Sequence, residues 1–270
     1  LTMGSKTKNF LGNHDVKTLE KKGAFTVIEY MRDLSVSPGS AQTAYFCNEM
    51  NVRKRQVVCE LTKSPITLQA GAMQWTVGNV QATTGVKGVG DFIGKAVRGR
   101  VTGESAIKPE YIGTGILVTE PTYKYILLED LANWNGSMVL DDGLFLASEA
   151  PVQPKAVMRS NISSAVAGGE GLFNLGLTGE GIVCLESNSP REELIEIEVQ
   201  NDVLKIDGNM AIAWSGSLDF TVERSGKTLI GSAASGEGLV NVYRGTGRVL
   251  LAPVARAVGN NPSNLLQINL

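Results

Sequence analysis

A short glycine-rich phrase recurs along this chain, and its period limits the available folds more than any other feature. Gly169-Glu170-Gly171-Leu172-Phe173-Asn174 is echoed by Gly236-Glu237-Gly238-Leu239-Val240-Asn241, and more weakly by Gly103-Glu104-Ser105-Ala106-Ile107. Glu104, Glu170 and Glu237 stand 66 and 67 residues apart. Each phrase is followed by a Gly-x-Gly and an apolar run, at Gly113-Thr114-Gly115, Gly179-Glu180-Gly181 and Gly245-Thr246-Gly247. Upstream of each copy an apolar run ends in a turn glycine, at Gly71, Gly143 and Gly208. Two of these turns carry Asp-Gly, whose tolerance of positive φ suits a tight hairpin. Such a period is the mark of a repeated supersecondary unit.

The units read as β. Residues 25–30, 56–61, 124–129, 194–199, 218–222 and 248–251 alternate apolar and polar side chains, with Val, Ile, Thr and Tyr frequent and Gly, Asn and Asp between them. Three turns of helical periodicity are hard to find. A β unit of this size buries little surface by itself, and no Pro- or Ser-rich linker separates the copies. One all-β domain is therefore expected, with three repeats packed around a pseudo-threefold axis. Its parts are an extension with strands at 1–47, repeats at 48–121, 122–189 and 190–254, and a tail at 255–270. Gly115, Gly181 and Gly247 are expected to play equivalent backbone roles.

Chemistry-bearing residues are few. Lys plus Arg number 25 and Asp plus Glu 27, a balance that disfavours nucleic acid as a partner. The three cysteines, Cys47, Cys59 and Cys184, have no metal-like spacing and read as small buried residues on strands of a protein from a reducing, cytoplasmic compartment. One histidine, His14, lies in a polar stretch and reads as solvated surface. No nucleophile elbow or phosphate loop occurs. No catalytic, metal or cofactor-binding residue is assigned, and no enzymatic activity or cofactor is expected. Asp141, Asp142 and Asp207 read as turn formers, and Trp75, Trp134 and Trp214 as separate core or interface residues. Glu104, Glu170 and Glu237 are repeat-equivalent. They read as acceptors for turn N–H groups, with a shared cation site on the axis as the alternative.

The Gly-Glu-Ser, Gly-Glu-Gly and Gly-Glu-Gly blocks, the strands and Gly-x-Gly pairs behind them, Leu204-Lys205-Ile206-Asp207-Gly208 and residues 235–253 together resemble the mitochondrial biogenesis family of altered inheritance of mitochondria proteins, over roughly residues 50–255. The resemblance implies a fold like the tryptophan RNA-binding attenuation protein, with three β-sandwich repeats of the double-stranded β-helix type in one chain. It implies no known enzymatic activity and supplies no catalytic residues. The eukaryotic members are associated with the mitochondrial inner membrane.

Two basic clusters remain, Arg53-Lys54-Arg55 and the cations of the glycine-rich insert at 85–103. The first repeat differs from the others mainly by this insert. Phe92 and Ile93 sit there among Lys87, Lys95, Arg98 and Arg100, and these six residues form the expected interaction surface. Residues 91–98 suit a short amphipathic helix with cations on its polar face. The chain thus reads as a noncatalytic scaffold or binding protein that meets a protein partner, a second copy or, peripherally, a membrane. RNA binding, by analogy with the attenuation fold, is the alternative.

Overall fold

The computed structural model describes residues 5–83, 108–158, 173–224 and 239–254. The chain is mostly β, in two antiparallel sheets. The strands of the first two thirds are β1 (Val16–Lys22), β2 (Phe25–Tyr30), β3 (Arg55–Glu60), β4 (Ile66–Leu68), β5 (Met73–Thr83), β6 (Glu110–Thr119), β7 (Tyr125–Asp130), β8 (Ser137–Leu140), β9 (Phe145–Glu149), β10 (Gln153–Met158), β11 (Phe173–Thr178) and β12 (Ile182–Ser187). The last third adds β13 (Ile195–Asp207), β14 (Ala211–Ser215), β15 (Asp219–Arg224) and β16 (Leu239–Leu251). One short helix, α1 (Ala41–Glu49), lies between β2 and β3. The six strands expected from alternation are present, with ends moved by a residue or two and with β13 and β16 running much further.

The first sheet runs β1-β2-β3-β6-β4-β9-β12-β7, with β5 paired to β6. It curls until its two ends nearly meet, as in a barrel. Side chains bridge the gap. Lys22 donates to the Leu128 carbonyl at 3.2 Å, and the Glu149 carboxylate accepts from the Ala24 and Ile182 N–H groups, each at 2.8 Å. Inside lie Phe25, Val57, Ile66, Leu68, Leu117 and Cys184. The second sheet runs β10-β11-β8-β14-β16-β13, with β15 on β16. Its inner face packs on the first sheet through Leu140, Leu177, Val183, Leu185 and Leu250.

The sheets do not follow the thirds of the chain. Strand β4 of the first third pairs with β9 of the second, and β8 of the second pairs with β14 of the last. A closed threefold ring would need a third such pair between β13 and β5. Among the described residues, β5 pairs only with β6, and β13 only with β16.

The turn glycines Gly71, Gly143 and Gly208 all take positive φ, at 81°, 73° and 65°. In the Gly-x-Gly pairs the shared conformation belongs to the first glycine. Gly113, Gly179 and Gly245 have φ of 124°, 116° and 117°. Of the second glycines only Gly181 has positive φ, so Gly115, Gly181 and Gly247 are not conformationally equivalent. Gly115 instead lies where a side chain would strike the Val77 carbonyl. A second correction concerns Cys47, which lies on α1 and is partly exposed, whereas Cys59 and Cys184 are buried on strands.

Two outcomes are expected. Gly245→Ala meets only ordinary contacts, the nearest the Ser217 carbonyl oxygen at 3.7 Å, and should cost about 1–3 kcal/mol of backbone strain alone. Gly113→Ala and Gly179→Ala should cost more, because the new Cβ would lie 2.0 Å and 2.4 Å from backbone carbonyl oxygens. Chemical denaturation of the three variants checks this order. Burial raises the thiol pKa of Cys59 and Cys184. A thiol reagent should therefore modify Cys47 alone in the native protein and the other two only after unfolding, as read by mass spectrometry.

Candidate functional site

The residues between β2 and β3 build a cleft at the strand ends of the first sheet. The chain leaves the sheet at Tyr30, enters α1 behind Pro38, and leaves the helix through Asn51 at φ 61°, the left-handed conformation common just past a helix end. No residue of α1 is fully buried. The helix turns Ala44, Cys47 and Asn48 toward the sheet, spaced to share one face. Asn48 anchors it by donating to the Met31 carbonyl at 2.6 Å and accepting from the Arg53 guanidinium.

Beneath the helix a buried ion pair fixes the floor. Arg55 is 1% exposed, and its Nη2 lies 2.6 Å from Glu29 Oε2. The same nitrogen donates to the carbonyl and side-chain oxygens of Asn51, both at 3.0 Å. The guanidinium lies 4.3 Å from the centre of the Tyr125 ring. Arg53 reaches the other Glu29 oxygen at 3.1 Å. Two of the three cations of the 53–55 cluster are thus held by one buried carboxylate.

Lys54 is the cluster member that lines the cleft most openly, and its Nζ lies 2.6 Å from Asp33 Oδ2. Burial acts to lower the Lys54 pKa, but the Asp33 hydrogen bond and the fields of Tyr123, Asp33 and Tyr30 outweigh it, so the pKa is raised. Burial raises Tyr30 and Tyr123. Arg32 grips Asp15 with two hydrogen bonds of 2.7 Å and 3.0 Å, which lower the Asp15 pKa. Tyr30 donates to Gln56. The cleft comprises a cavity of about 210 Å³ under α1 and an adjoining one of about 340 Å³ toward Asp15 and Gln74. Tyr30, Arg32, Asp33, Leu34 and Lys54 line both. On its outer side Leu34, Tyr45, Phe46 and Met50 are 73%, 62%, 57% and 75% exposed.

The interaction residues expected from sequence, Lys87, Phe92, Ile93, Lys95, Arg98 and Arg100, lie outside the described residues, as do Glu104, Glu170 and Glu237. His14 is exposed, beside Asp15 and Arg32. Trp134 and Trp214 are buried, and Trp75 is partly buried against Phe10. The cleft itself escaped the sequence reading. The cavity under α1 is lined by residues from 30–54 and Tyr123, the adjoining one adds Asn13, Asp15, Gln56, Gln74 and Pro121, and the 53–55 cations were the one local signal.

Removing the Arg55 guanidinium strands most of the Glu29 charge in a buried place. Arg55→Met should cost about 3–5 kcal/mol in chemical denaturation. Lys54→Met, at a partly exposed pair, should cost no more than about 1 kcal/mol.

A family model described as mitochondrial biogenesis AIM24 matches residues 49–254. An uncharacterised protein of Streptococcus pyogenes serotype M6 is 32% identical over 194 residues, 69% of this chain and 75% of the relative. A crystal structure of a Streptococcus pyogenes protein superposes with a TM-score of 0.55 at 26% identity, covering 81% of this chain and 93% of that one. The wall of the cleft formed by Tyr30, Asp33, Leu34 and Tyr45 lies outside the family match, whereas Arg53, Lys54 and Tyr123 lie within it.

Proposed function

The chain belongs to the mitochondrial biogenesis AIM24 family, and from that premise we propose that it is a noncatalytic binding scaffold. In this reading three related β units stand in series at 48–121, 122–189 and 190–254, and the N-terminal extension adds a docking cleft for a protein partner. The matching φ angles at the turn glycines and at Gly113, Gly179 and Gly245 support the serial units. So do the corresponding antiparallel pairs β3 with β6, β7 with β12 and β13 with β16.

The exposed apolar group Leu34, Tyr45, Phe46 and Met50, beside a cleft whose charges are already paired, carries the binding reading. Contiguous exposed apolar side chains with a polar surround mark interaction surfaces. Tyr45 and Phe46 meet edge to face, with ring centroids 5.6 Å apart, and offer a compact aromatic anchor. A general acid or base has to exchange its proton during turnover. Here Lys54 is engaged by Asp33, Arg32 by Asp15, and Arg53 by Glu29, which suits orientation of a partner better than proton transfer.

The test is purification of the native complex with wild type and with the Tyr45→Ser/Phe46→Ser double variant. Proteins recovered stoichiometrically with wild type and lost with the variant, at unchanged melting temperature, are the expected result. Retention of the same partners by the variant counts against the cleft. Reproducible turnover in a broad substrate screen, abolished by Lys54→Met or Cys47→Ala, would overturn the noncatalytic reading.

A further inference from the structure

Two strand pairs join consecutive thirds of this chain, and each is made in the same way. Strand β4 lies between β6 of its own third and β9 of the next. Strand β8 lies between β11 of its own third and β14 of the next. Both joints are antiparallel and three residues long. They also share a register. Leu68 faces Ala147 in the first joint, and Leu140 faces Ala213 in the second. Ala147 follows Leu140 by seven residues, and Ala213 follows the buried Ile206 by the same interval. The residue seven places after Leu68 is Trp75, on β5.

The series leaves one edge of each kind over. Among the described residues, the Asp202–Asp207 half of β13, which corresponds to β4 and β8, is paired on the β16 side alone. The first half of β5, which corresponds to β9 and β14, is likewise paired among the described residues on the β6 side alone.

The apolar cores point the same way. In each completed joint the two facing residues share one cluster, Leu68 with Ala147 and Leu140 with Ala213. Ile206 and Trp75 belong to two separate clusters at opposite ends of the series. These end clusters keep several large apolar side chains only partly buried. Leu204, Phe220 and Met210 are so placed at one end, and Trp75, Phe10 and Ile116 at the other. Among the described residues, the cluster at the second joint has only Ala252 in that condition, and the cluster at the first joint has Ala72, Val80 and Ile126.

We infer that this chain assembles head to tail with a second copy, the Asp202–Asp207 half of β13 in one copy pairing antiparallel with the first half of β5 in the next. Ile206 faces Trp75 and Leu204 faces Val77, and the two end clusters become one core. Lys205 then lies opposite Thr76. Because the two surfaces differ, the contact is heterologous and repeats from copy to copy, giving a ring or a filament rather than a simple twofold dimer. The inference rests on the serial reading of the strand pairs and is independent of the cleft.

Lys205 and Thr76 are both exposed, so the joint can be tested without disturbing a core. Directly opposed cross-strand charges shift pairing modestly. Thr76→Lys should weaken self-association about two- to fivefold, measured by native mass spectrometry and light scattering over a concentration series. Thr76→Glu should strengthen it, and Thr76→Lys/Lys205→Glu should restore it. Mixing the single variants Thr76→Cys and Lys205→Cys under mild oxidation should give a crosslink between the two kinds of chain. A monomer at every concentration overturns the proposal. Self-association indifferent to the charge exchange, or crosslinks within each single variant at the expense of the mixed one, overturns it too. None of these results bears on the Tyr45→Ser/Phe46→Ser experiment.

Discussion

Backbone hydrogen bonds between β4 and β9, and between β8 and β14, make one body of what the sequence writes as three similar stretches. A small sheet has more edge than it can cover by itself, and an open edge leaves a row of N–H and C=O groups unpaired. Pairing β4 with β9 and β8 with β14 closes such edges locally and joins the cores as well. Leu68 and Ala147 sit in one cluster, and Leu140 and Ala213 in another, only because those strands are shared. The two sheets therefore cut across the thirds of the chain, and the first sheet curls to bring its ends together.

The N-terminal extension addresses the first end of this series. Strand β2 pairs with the edge of β3, β1 pairs with β2, and Phe10 packs edge-on against Trp75 at 5.2 Å. The route from β2 back to β3 is what creates the cleft. That route crosses a helix with no fully buried side chain, so propensity and local packing cannot hold it alone. The buried Arg55–Glu29 pair, with Arg53 and Asn51 on the same two groups, is what fixes it to the sheet. Ion pairs of this kind are a poor source of net stability but a strict geometric constraint, since either charge left alone in the interior is costly. With the floor so fixed, α1 carries Tyr45 and Phe46 exposed on its outer side.

Much of the architecture was legible in the chain itself. Alternation placed β2, β3 and β7 to within a residue or two because a half-buried strand has a period of two whatever it packs against. The turn glycines Gly71, Gly143 and Gly208 were legible because positive φ is a local steric matter that glycine meets at least cost. The spacing of the Gly-x-Gly pairs was equally plain, yet it could not say which glycine of each pair bends the chain. Nor could it show that carbonyls more than twenty residues away crowd two of these bends, that of Asn79 at Gly113 and that of Pro151 at Gly179.

The cleft lay beyond reach for the same reason on a larger scale. Arg53-Lys54-Arg55 looks like one basic cluster, but strand geometry separates its members. Arg55 is carried inward to Glu29, and Lys54 is left at the surface with Asp33. The sequence by itself determined the strand periodicity, the turn positions, the recurring glycine phrase and the family. Tertiary structure alone decided which strand edges meet, which of three adjacent cations is buried, and that Tyr30 and Tyr123 stand in one cavity. Periodicity and turn conformation are settled within a few residues, whereas edge pairing and charge burial depend on partners brought together only when the sheets close.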